Sequence, residues 1–224
     1  MREQSRIKAV PWDKAAFGMD CFEIVNPDPE LLKKALVTPG HYTVKMDPLA
    51  EKQSLQACGF YYCDTLIEPW CTADRLARLD HADISFTMKV PVESVVAICR
   101  GAFLYGRFHR DFNIDPKKAD LRYENWLREL HREGKVYGLL FKDDIAGFIA
   151  HSGGSLVLHA MSSGYRGKGL AKFFWSAVCR HLFEQGHTEI RSSISFVNMA
   201  VINLYATLGF RFRNPVDVYH RLVT

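Results

Sequence analysis

Apolar and polar positions along the chain follow two periods, one typical of helices and one typical of strands. VESVVAICRGAF (92–103) has helical spacing, and a second helical pattern runs from about Leu121 to Glu133 after a polar stretch. Three short apolar runs come next: VYGLLF (136–141), IAGFIAH (145–151) and SLVLHAM (155–161). Because only short polar or glycine gaps separate them, these runs predict an antiparallel meander.

The last third predicts a helix, a strand, a second helix and a final strand region. Apolar residues recur at i, i+3, i+4, i+7 and i+8 from Leu170 to Val178, and Gly186 stands where a C-terminal cap belongs. A strand (189–196), a short helix (199–208) that ends at Gly209 and one or two further strands (210–222) follow.

A segment of the N-terminal third is similar in sequence to a segment of the C-terminal third. LQACGFYYCD (55–64) resembles YATLGFRFRN (205–214) when Gly59-Phe60 is aligned with Gly209-Phe210. Chance similarity between two helices that end in glycine stays the alternative. If the repeat is genuine, the first half is structural, because nothing like the RGKG of residues 166–169 precedes the first copy.

Composition and charge narrow the class of protein. The 224 residues are 48% hydrophobic and carry a formal charge of +4, with basic and acidic residues intermixed, so we expect neither a nucleic-acid arm nor a polybasic anchor. The sequence has no apolar signal segment and no apolar run that could cross a membrane, which predicts a cytoplasmic protein. Its six cysteines form no C-x-x-C pair, so we expect free thiols and no metal site.

The stretch SSGYRGKGLAKFF (162–174) carries the clearest chemical signal. Three of its residues are glycines, and an apolar helix pattern follows directly. Such a turn lets several backbone N–H groups point at one spot, and the helix dipole adds partial positive charge there, which suits a phosphate. Neither common phosphate fingerprint fits, because no Ser or Thr follows a Gly-Lys pair and position 172 is a lysine. A tight turn without a ligand is the alternative.

Two motifs in order suggest a family. Arg166-Gly167-Lys168-Gly169-Leu170-Ala171 matches R-x-x-G-x-A, and SISFVNMAVINLYATLGF (193–210) follows it. Together they resemble the coenzyme A loop and the next motif of the GNAT acyltransferase superfamily. The resemblance implies an α/β (α+β) GNAT fold: a mixed, mostly antiparallel twisted sheet flanked by helices. A boundary between two apolar blocks, near Asp80 to Ser85, divides the chain into a catalytic domain (83–224) and a smaller half (1–82), which the repeat predicts to be truncated, GNAT-like and non-catalytic.

The same resemblance implies an acetyl-CoA-dependent N-acetyltransferase and assigns roles to residues. The glycine turn, from Arg166 to Ala171, would hold the pyrophosphate of CoA. Backbone groups of Ala160 and Met161 would bind the pantetheine and polarise the thioester carbonyl. Tyr205 would be the general acid, and a tyrosine that only packs in the core is the alternative.

Two further roles are less defined. Asn198 would bind the pantetheine or an ordered water, and capping of the following helix is compatible with that role. The strand SLVLHAM has no carboxylate to act as a base. Removal of the amine proton therefore stays open between water, His151 and His159.

A narrower resemblance concerns the acceptor. PWDKAAFG (11–18) and GRFHRDFNIDPKKADLRYENWLREL (106–130) are similar to segments of dTDP-fucosamine acetyltransferases, which acetylate a nucleotide-linked 4-amino-4,6-dideoxy sugar. It implies a nucleotide amino sugar as acceptor, in surface polysaccharide synthesis. Arg107, His109 and Arg110, interleaved with Phe108 and Phe112, would meet its diphosphate by charge and its base or sugar by stacking. The alternative is a solvated loop whose charges balance against Asp111, Asp115 and Asp120. Another small amine, such as an antibiotic or polyamine, a non-catalytic CoA-binding protein, and a homodimer also stay open.

Overall fold

The computed structural model describes residues 6–224, which form 11 strands, seven α-helices and a 3-10 turn. The strands are β1 (Arg6–Ala9), β2 (Cys21–Val25), β3 (Gly40–Met46), β4 (Tyr61–Cys71), β5 (Ile84–Thr87), β6 (Val136–Phe141), β7 (Asp144–Ser152), β8 (Ser155–Met161), β9 (Ile190–Ser192), β10 (Ile194–Ser195) and β11 (Arg211–Val223). The helices are α1 (Pro11–Phe17), α2 (Pro29–Ala35), α3 (Gln53–Ala57), α4 (Val92–Cys99), α5 (Pro116–Arg132), α6 (Ala171–Glu184) and α7 (Met199–Thr207), and the 3-10 turn is Ser163–Tyr165. Within this part of the chain, no helix combines the length and the apolar character needed to cross a membrane.

Packing divides the chain into two compact units. The first unit comprises Met1–Leu66, of which the structure describes residues 6–66, together with Leu104–Arg122 and Pro215–Thr224. The second unit comprises Ile67–Phe103 and Tyr123–Asn214. These two units are defined by contacts within the fold. The predicted division into 1–82 and 83–224 rests instead on the proposed common origin of two halves, and it stays a prediction.

In the first unit, strands pair in the order β1-β2-β3-β11. The pair β2-β3 is parallel, and the pairs β1-β2 and β3-β11 are antiparallel. Five successive residues of β3, from Gly40 to Val44, are buried, so both faces of this strand are covered. The core contains side chains from helices and strands: Ile24, Leu32, Ala35, Tyr42, Val44, Leu55, Phe60 and Tyr219.

In the second unit, the order β9-β8-β7-β6-β5 contains the predicted meander. Lys142 and Asp143 join β6 to β7 with positive φ angles of 49° and 72°, as a two-residue hairpin requires. Phe148 and Ile149 are neighbours on β7 but belong to different core clusters, one packed with α4 and α5 and the other with α6 and α7. The predicted mixed sheet flanked by helices is confirmed.

Three element boundaries differ from the prediction. Helix α5 begins at Pro116 instead of Leu121, because Asp115 caps it: its Oδ1 accepts the backbone N–H of Lys117 at 2.9 Å. The strand predicted over 189–196 is interrupted at Ser193 and forms β9 and β10. Helix α4 ends at Cys99 instead of about Phe103. The final region is one strand, β11, with thirteen residues, which is one of the two predicted outcomes.

The two similar segments end their helices in the same way. Gly59 follows α3 with a φ of 73°, and Gly209 follows α7 with a φ of 86°. In each copy the next residue, Phe60 or Phe210, donates its N–H to the carbonyl five residues back, at 3.0 Å in both cases. This cap needs a residue in the left-handed backbone conformation, which only glycine adopts freely. The common origin of the two segments stays a prediction.

Candidate active site

Strands β8 and β9 run parallel but pair only where they begin. Ser155 is opposite Arg191 and Leu156 is opposite Ser192, and no later pairing joins these two strands within residues 6–224. On the other side of β8, the register with β7 shifts so that Val157 is an extra residue. The second half of β8 therefore has a backbone edge that faces away from β7 and can pair with an extended ligand.

The predicted glycine turn follows β8 directly. Gly167 and Gly169 have φ angles of 72° and 70°, and a Cβ built at either position would meet no atom within 4 Å. Residues 166–169 are exposed, and α6 begins at Ala171. The first amides of a helix have no partner inside it. The turn thus presents open backbone N–H groups at a helix N-terminus, as an anion site requires.

Arg166 has a structural contact that the sequence did not predict. Its Nε donates to the carbonyl oxygen of Met161 at 2.8 Å, so it ties the turn to the end of β8. Lys168 lies over the ring of Tyr165, with Nζ 5.4 Å from the ring centroid. Both basic side chains are therefore held near the start of α6.

The structure brings Tyr205 and His159 together. The hydroxyl of Tyr205 lies 3.0 Å from Nε2 of His159, and the Tyr205 side chain is fully buried. Burial raises the pKa of Tyr205, and burial lowers the pKa of the half-buried His159 to about 4. At neutral pH the phenol therefore keeps its proton and the imidazole is uncharged. Tyr205 is buried, as the alternative of a tyrosine packed in the core predicts, but its hydroxyl also has His159 as a polar partner.

The remaining predicted positions lie in the same unit. Ala160 and Met161 pair with Phe148 and Gly147 of β7. Gly147 was missed by the sequence reasoning, and a Cβ there would lie 2.5 Å from the Ala160 carbonyl oxygen. Close pairing of the two strands at this point therefore needs a glycine.

Asn198 caps helix α7. Its Oδ1 accepts the backbone N–H of Val201 at 3.4 Å, which confirms the predicted capping role. Phe196, Val197 and Met199 around it are exposed to 51%, 44% and 55%. The additional role of Asn198 in ligand binding stays a prediction.

Residues 102–210 match the model of the acetyltransferase (GNAT) family. The match spans α5, β6 to β10, the glycine turn, α6 and α7, and it ends at Phe210. This segment of the chain is a GNAT acetyltransferase domain. It is therefore an acyltransferase of the acetyltransferase class, and GNAT enzymes use acetyl-CoA.

Solved structures show the same fold at low sequence identity. A GCN5-related N-acetyltransferase from Sphaerobacter thermophilus is 12% identical with a TM-score of 0.65, over 96% of this chain and 76% of that one. A functionally unknown conserved protein from Staphylococcus epidermidis is 11% identical with a TM-score of 0.67, over 99% and 93%. A tandem GNAT protein from the clavulanic acid biosynthesis pathway is 15% identical with a TM-score of 0.53, over 90% and 75%. Among curated proteins, none matches this sequence.

The three residues predicted to bind the acceptor lie in the first unit, where each has a close neighbour. Arg110 pairs with the buried Asp64 at 2.8 Å, and the nearly buried side chain of His109 lies 3.1 Å from Asp120. The guanidinium of Arg107 lies over the ring of Phe108, 4.6 Å from its centroid. The pairing of His109 with Asp120 agrees with the alternative of a loop balanced by its own aspartates. Asp64, the partner of Arg110, was not predicted.

Asp111 is the centre of a buried network in the first unit of this GNAT protein. Its Oδ2 accepts hydrogen bonds from Nε2 of His41 at 2.8 Å and Nδ1 of His220 at 2.7 Å. Its Oδ1 accepts from the hydroxyl of Tyr61 at 2.8 Å and from the backbone N–H of Asn113 at 2.9 Å. Burial alone would raise the pKa of Asp111, but the hydrogen bonds outweigh it and hold that pKa far below its usual range.

His41, Asp111 and His220 also have the composition of a metal site. One candidate ligand atom from each lies within 4.8 Å of the others. However, the oxygen–nitrogen distances are those of hydrogen bonds, whereas two ligands of a tetrahedral zinc lie about 3.3 Å apart. A metal on Nδ1 of His220 would also leave its buried Nε2–H without an acceptor among the described residues. The geometry fits a hydrogen-bond network better than a metal centre.

Proposed function

We propose that the protein transfers an acetyl group from acetyl-CoA to the amino group of a nucleotide-linked amino sugar of the 4-amino-4,6-dideoxyhexose type, in surface polysaccharide synthesis. The observation that carries the transferase part is the open glycine turn at the end of β8, whose second half has an unpaired edge. The acceptor part rests on the resemblance of residues 11–18 and 106–130 to dTDP-fucosamine acetyltransferases.

Each group of predicted site residues in the second unit has a task in this reaction. The amides from Gly167 to Ala171 bind the pyrophosphate, with Arg166 and Lys168 adding positive charge. Backbone N–H groups at Ala160 and Met161 bind the thioester carbonyl oxygen and stabilise the negative charge that develops on it. Tyr205 donates its proton to the sulfur as the carbon–sulfur bond breaks.

Charge in the first unit favours an anionic acceptor. Burial, and then the positive charge of Arg107, lower the pKa of Lys45, whose Nζ also lies 3.2 Å from Glu23. Two cations held close to each other repel, and a diphosphate beside them relieves that repulsion. We therefore infer that Arg107 contacts the nucleotide, while His109 and Arg110 hold the loop through Asp120 and Asp64.

The N-terminal half has a supporting role in this proposal. We infer that residues 1–82 are a truncated, non-catalytic GNAT-like half that precedes a catalytic domain of residues 83–224. The identical helix caps before Phe60 and Phe210 support this view, as does the similarity to a tandem GNAT protein. The cytoplasmic location, the homodimer and the lack of a metal stay predictions.

A substrate panel tests the proposed acceptor. The purified full chain is incubated with acetyl-CoA and with dTDP- and UDP-linked amino sugars, polyamines or aminoglycosides, and release of free CoA is measured. We expect the highest kcat/KM with a dTDP-linked 4-amino-4,6-dideoxyhexose. Turnover of a polyamine or aminoglycoside without turnover of any nucleotide amino sugar would replace the proposed acceptor. No turnover of any amine, in a protein that binds CoA, would favour a non-catalytic CoA-binding protein.

Arg107→Ala tests the contact to the nucleotide. Loss of a charge-assisted hydrogen bond of about 1.5–3 kcal/mol raises the KM of the acceptor about 10- to 100-fold and leaves the KM of acetyl-CoA unchanged. Arg132→Ala, which removes an exposed arginine at the end of α5, is the matched control and leaves both values unchanged. An equal rise in both KM values, or no rise, removes Arg107 from the acceptor site.

A further inference from the structure

The hydrogen bond between Tyr205 and His159 allows two arrangements of hydrogen. Both side chains are uncharged at neutral pH, so a single hydrogen lies between the phenolic oxygen and Nε2. In one arrangement Tyr205 donates to His159, and its proton then points at β8. In the other, Nε2–H of His159 donates to the oxygen, and the phenolic hydrogen is free to point elsewhere.

A buried indole lies close to the pair of Tyr205 and His159. The indole N–H of Trp175 is buried and has no hydrogen-bond partner in the part of the chain that the structure describes. Its ring meets the ring of His159 edge to face, with centroids 5.2 Å apart. Burial raises the pKa of Tyr205, and the nearby indole N–H of Trp175 offsets part of that rise. The hydroxyl of Ser192 donates to the carbonyl oxygen of Leu156 at 2.7 Å instead. The indole N–H therefore favours negative charge on the oxygen of Tyr205.

We propose that His159 is a positioning residue that donates its Nε2–H to the phenolic oxygen of Tyr205 and thereby directs the phenolic proton to the reacting sulfur. This inference rests on the proposed role of Tyr205 as general acid. The sequence reasoning considered His159 as a base for the amine, which is a different role. Here His159 touches neither substrate and acts through Tyr205.

The proton balance of the step is complete. The amine nitrogen forms a bond to the carbonyl carbon, the carbon–sulfur bond breaks, and the sulfur takes the proton of Tyr205. The phenolate that results accepts the hydrogen bond from His159, which lowers its energy in the transition state. The proton lost by the amine restores the phenol through solvent.

Two substitutions at one position test the inference. In His159→Gln the amide nitrogen reaches about as far as Nε2 and still donates a hydrogen bond, whereas His159→Met fills similar volume without a donor. We expect His159→Met to lower the single-turnover rate about 10- to 100-fold with an unchanged KM for acetyl-CoA, and His159→Gln to restore most of that rate. His187→Met, the same change at another partly buried histidine, leaves the rate unchanged.

A double-mutant cycle separates this inference from the proposed function. If His159 acts through Tyr205, His159→Met has no further effect once Tyr205→Phe is present. If Tyr205→Phe lowers the single-turnover rate but a folded His159→Met protein keeps it, His159 does not have this role and Tyr205 stays the acid. A fast Tyr205→Phe protein overturns the acid itself. If His159→Met does not fold, His159→Leu takes its place, and equal rates for the leucine and glutamine variants overturn the inference.

Discussion

Replacing Gly169 by valine tests whether the glycine turn binds the pyrophosphate of CoA. Gly169 has a φ of 70°, and a Cβ at this position meets no atom within 4 Å. A valine therefore has room in the protein but is strained, at a cost of about 1–3 kcal/mol. Since domains are stable by about 5–15 kcal/mol, we expect the variant to fold.

The effect on CoA is expected to be larger than the effect on the fold. The new side chain occupies the open space beside the amides that the pyrophosphate approaches. A hydrogen bond to a charged group contributes about 1.5–3 kcal/mol, so the loss of one such bond weakens binding about 10- to 100-fold. Calorimetric titration with CoA measures this change directly.

Gly134→Val is a closely matched control. Gly134 has a φ of 68°, a Cβ there also meets no atom within 4 Å, and it lies in the turn between α5 and β6. We expect a similar loss in the free energy of unfolding and an unchanged CoA affinity. An unchanged CoA affinity in folded Gly169→Val would refute the reasoning and leave the glycines a purely structural role.

Two predictions concern the stability of the first unit. Asp111→Asn cannot satisfy all four donors around the carboxylate, so urea unfolding should show a loss of about 3–5 kcal/mol in the free energy of unfolding. The control Asp143→Asn, in an exposed turn, should lose less than about 0.5 kcal/mol. An equal loss in the two variants would contradict the network. Burial lowers the pKa of His220 to about 3, so the unfolded chain alone takes up its proton below about pH 6.5. Stability is then complete above pH 6.5 and declines as the pH falls toward 3, by about 2 kcal/mol at pH 5. The decline from pH 8 to pH 5 should be smaller by that amount in His220→Gln, and equal declines would disprove the assignment.

Local sequence was sufficient for the main elements between Val92 and Thr207. The meander, the glycine turn and α6 were predicted because their signals lie within a few residues of each other. Helical period, alternating runs and left-handed glycines such as Gly167 act over one or two turns of chain. Boundaries were less accurate, since Asp115 extends α5 through a cap that apolar spacing does not reveal.

The roles of Arg110 and Tyr205 show where local reasoning ends. The sequence indicated that Arg110 carries charge in a polar loop, but its partner Asp64 is 46 residues away. The sequence indicated a tyrosine at the right place in a motif, but not that its hydroxyl bonds His159 across 46 residues. A side chain's partner depends on how distant strands and helices pack, and no periodicity of the chain encodes that choice.

The sequence by itself determined most secondary elements after Val92, the likeness to the GNAT family and the glycine turn before α6, because each depends on neighbouring residues and on backbone freedom at glycine. Only the tertiary structure decided that His41, Asp111 and His220 share one buried network. Separated by 70 and 109 residues, these side chains show no common spacing or motif. Burial is what joins them, since a carboxylate removed from water is stable only with donors that the fold brings to it.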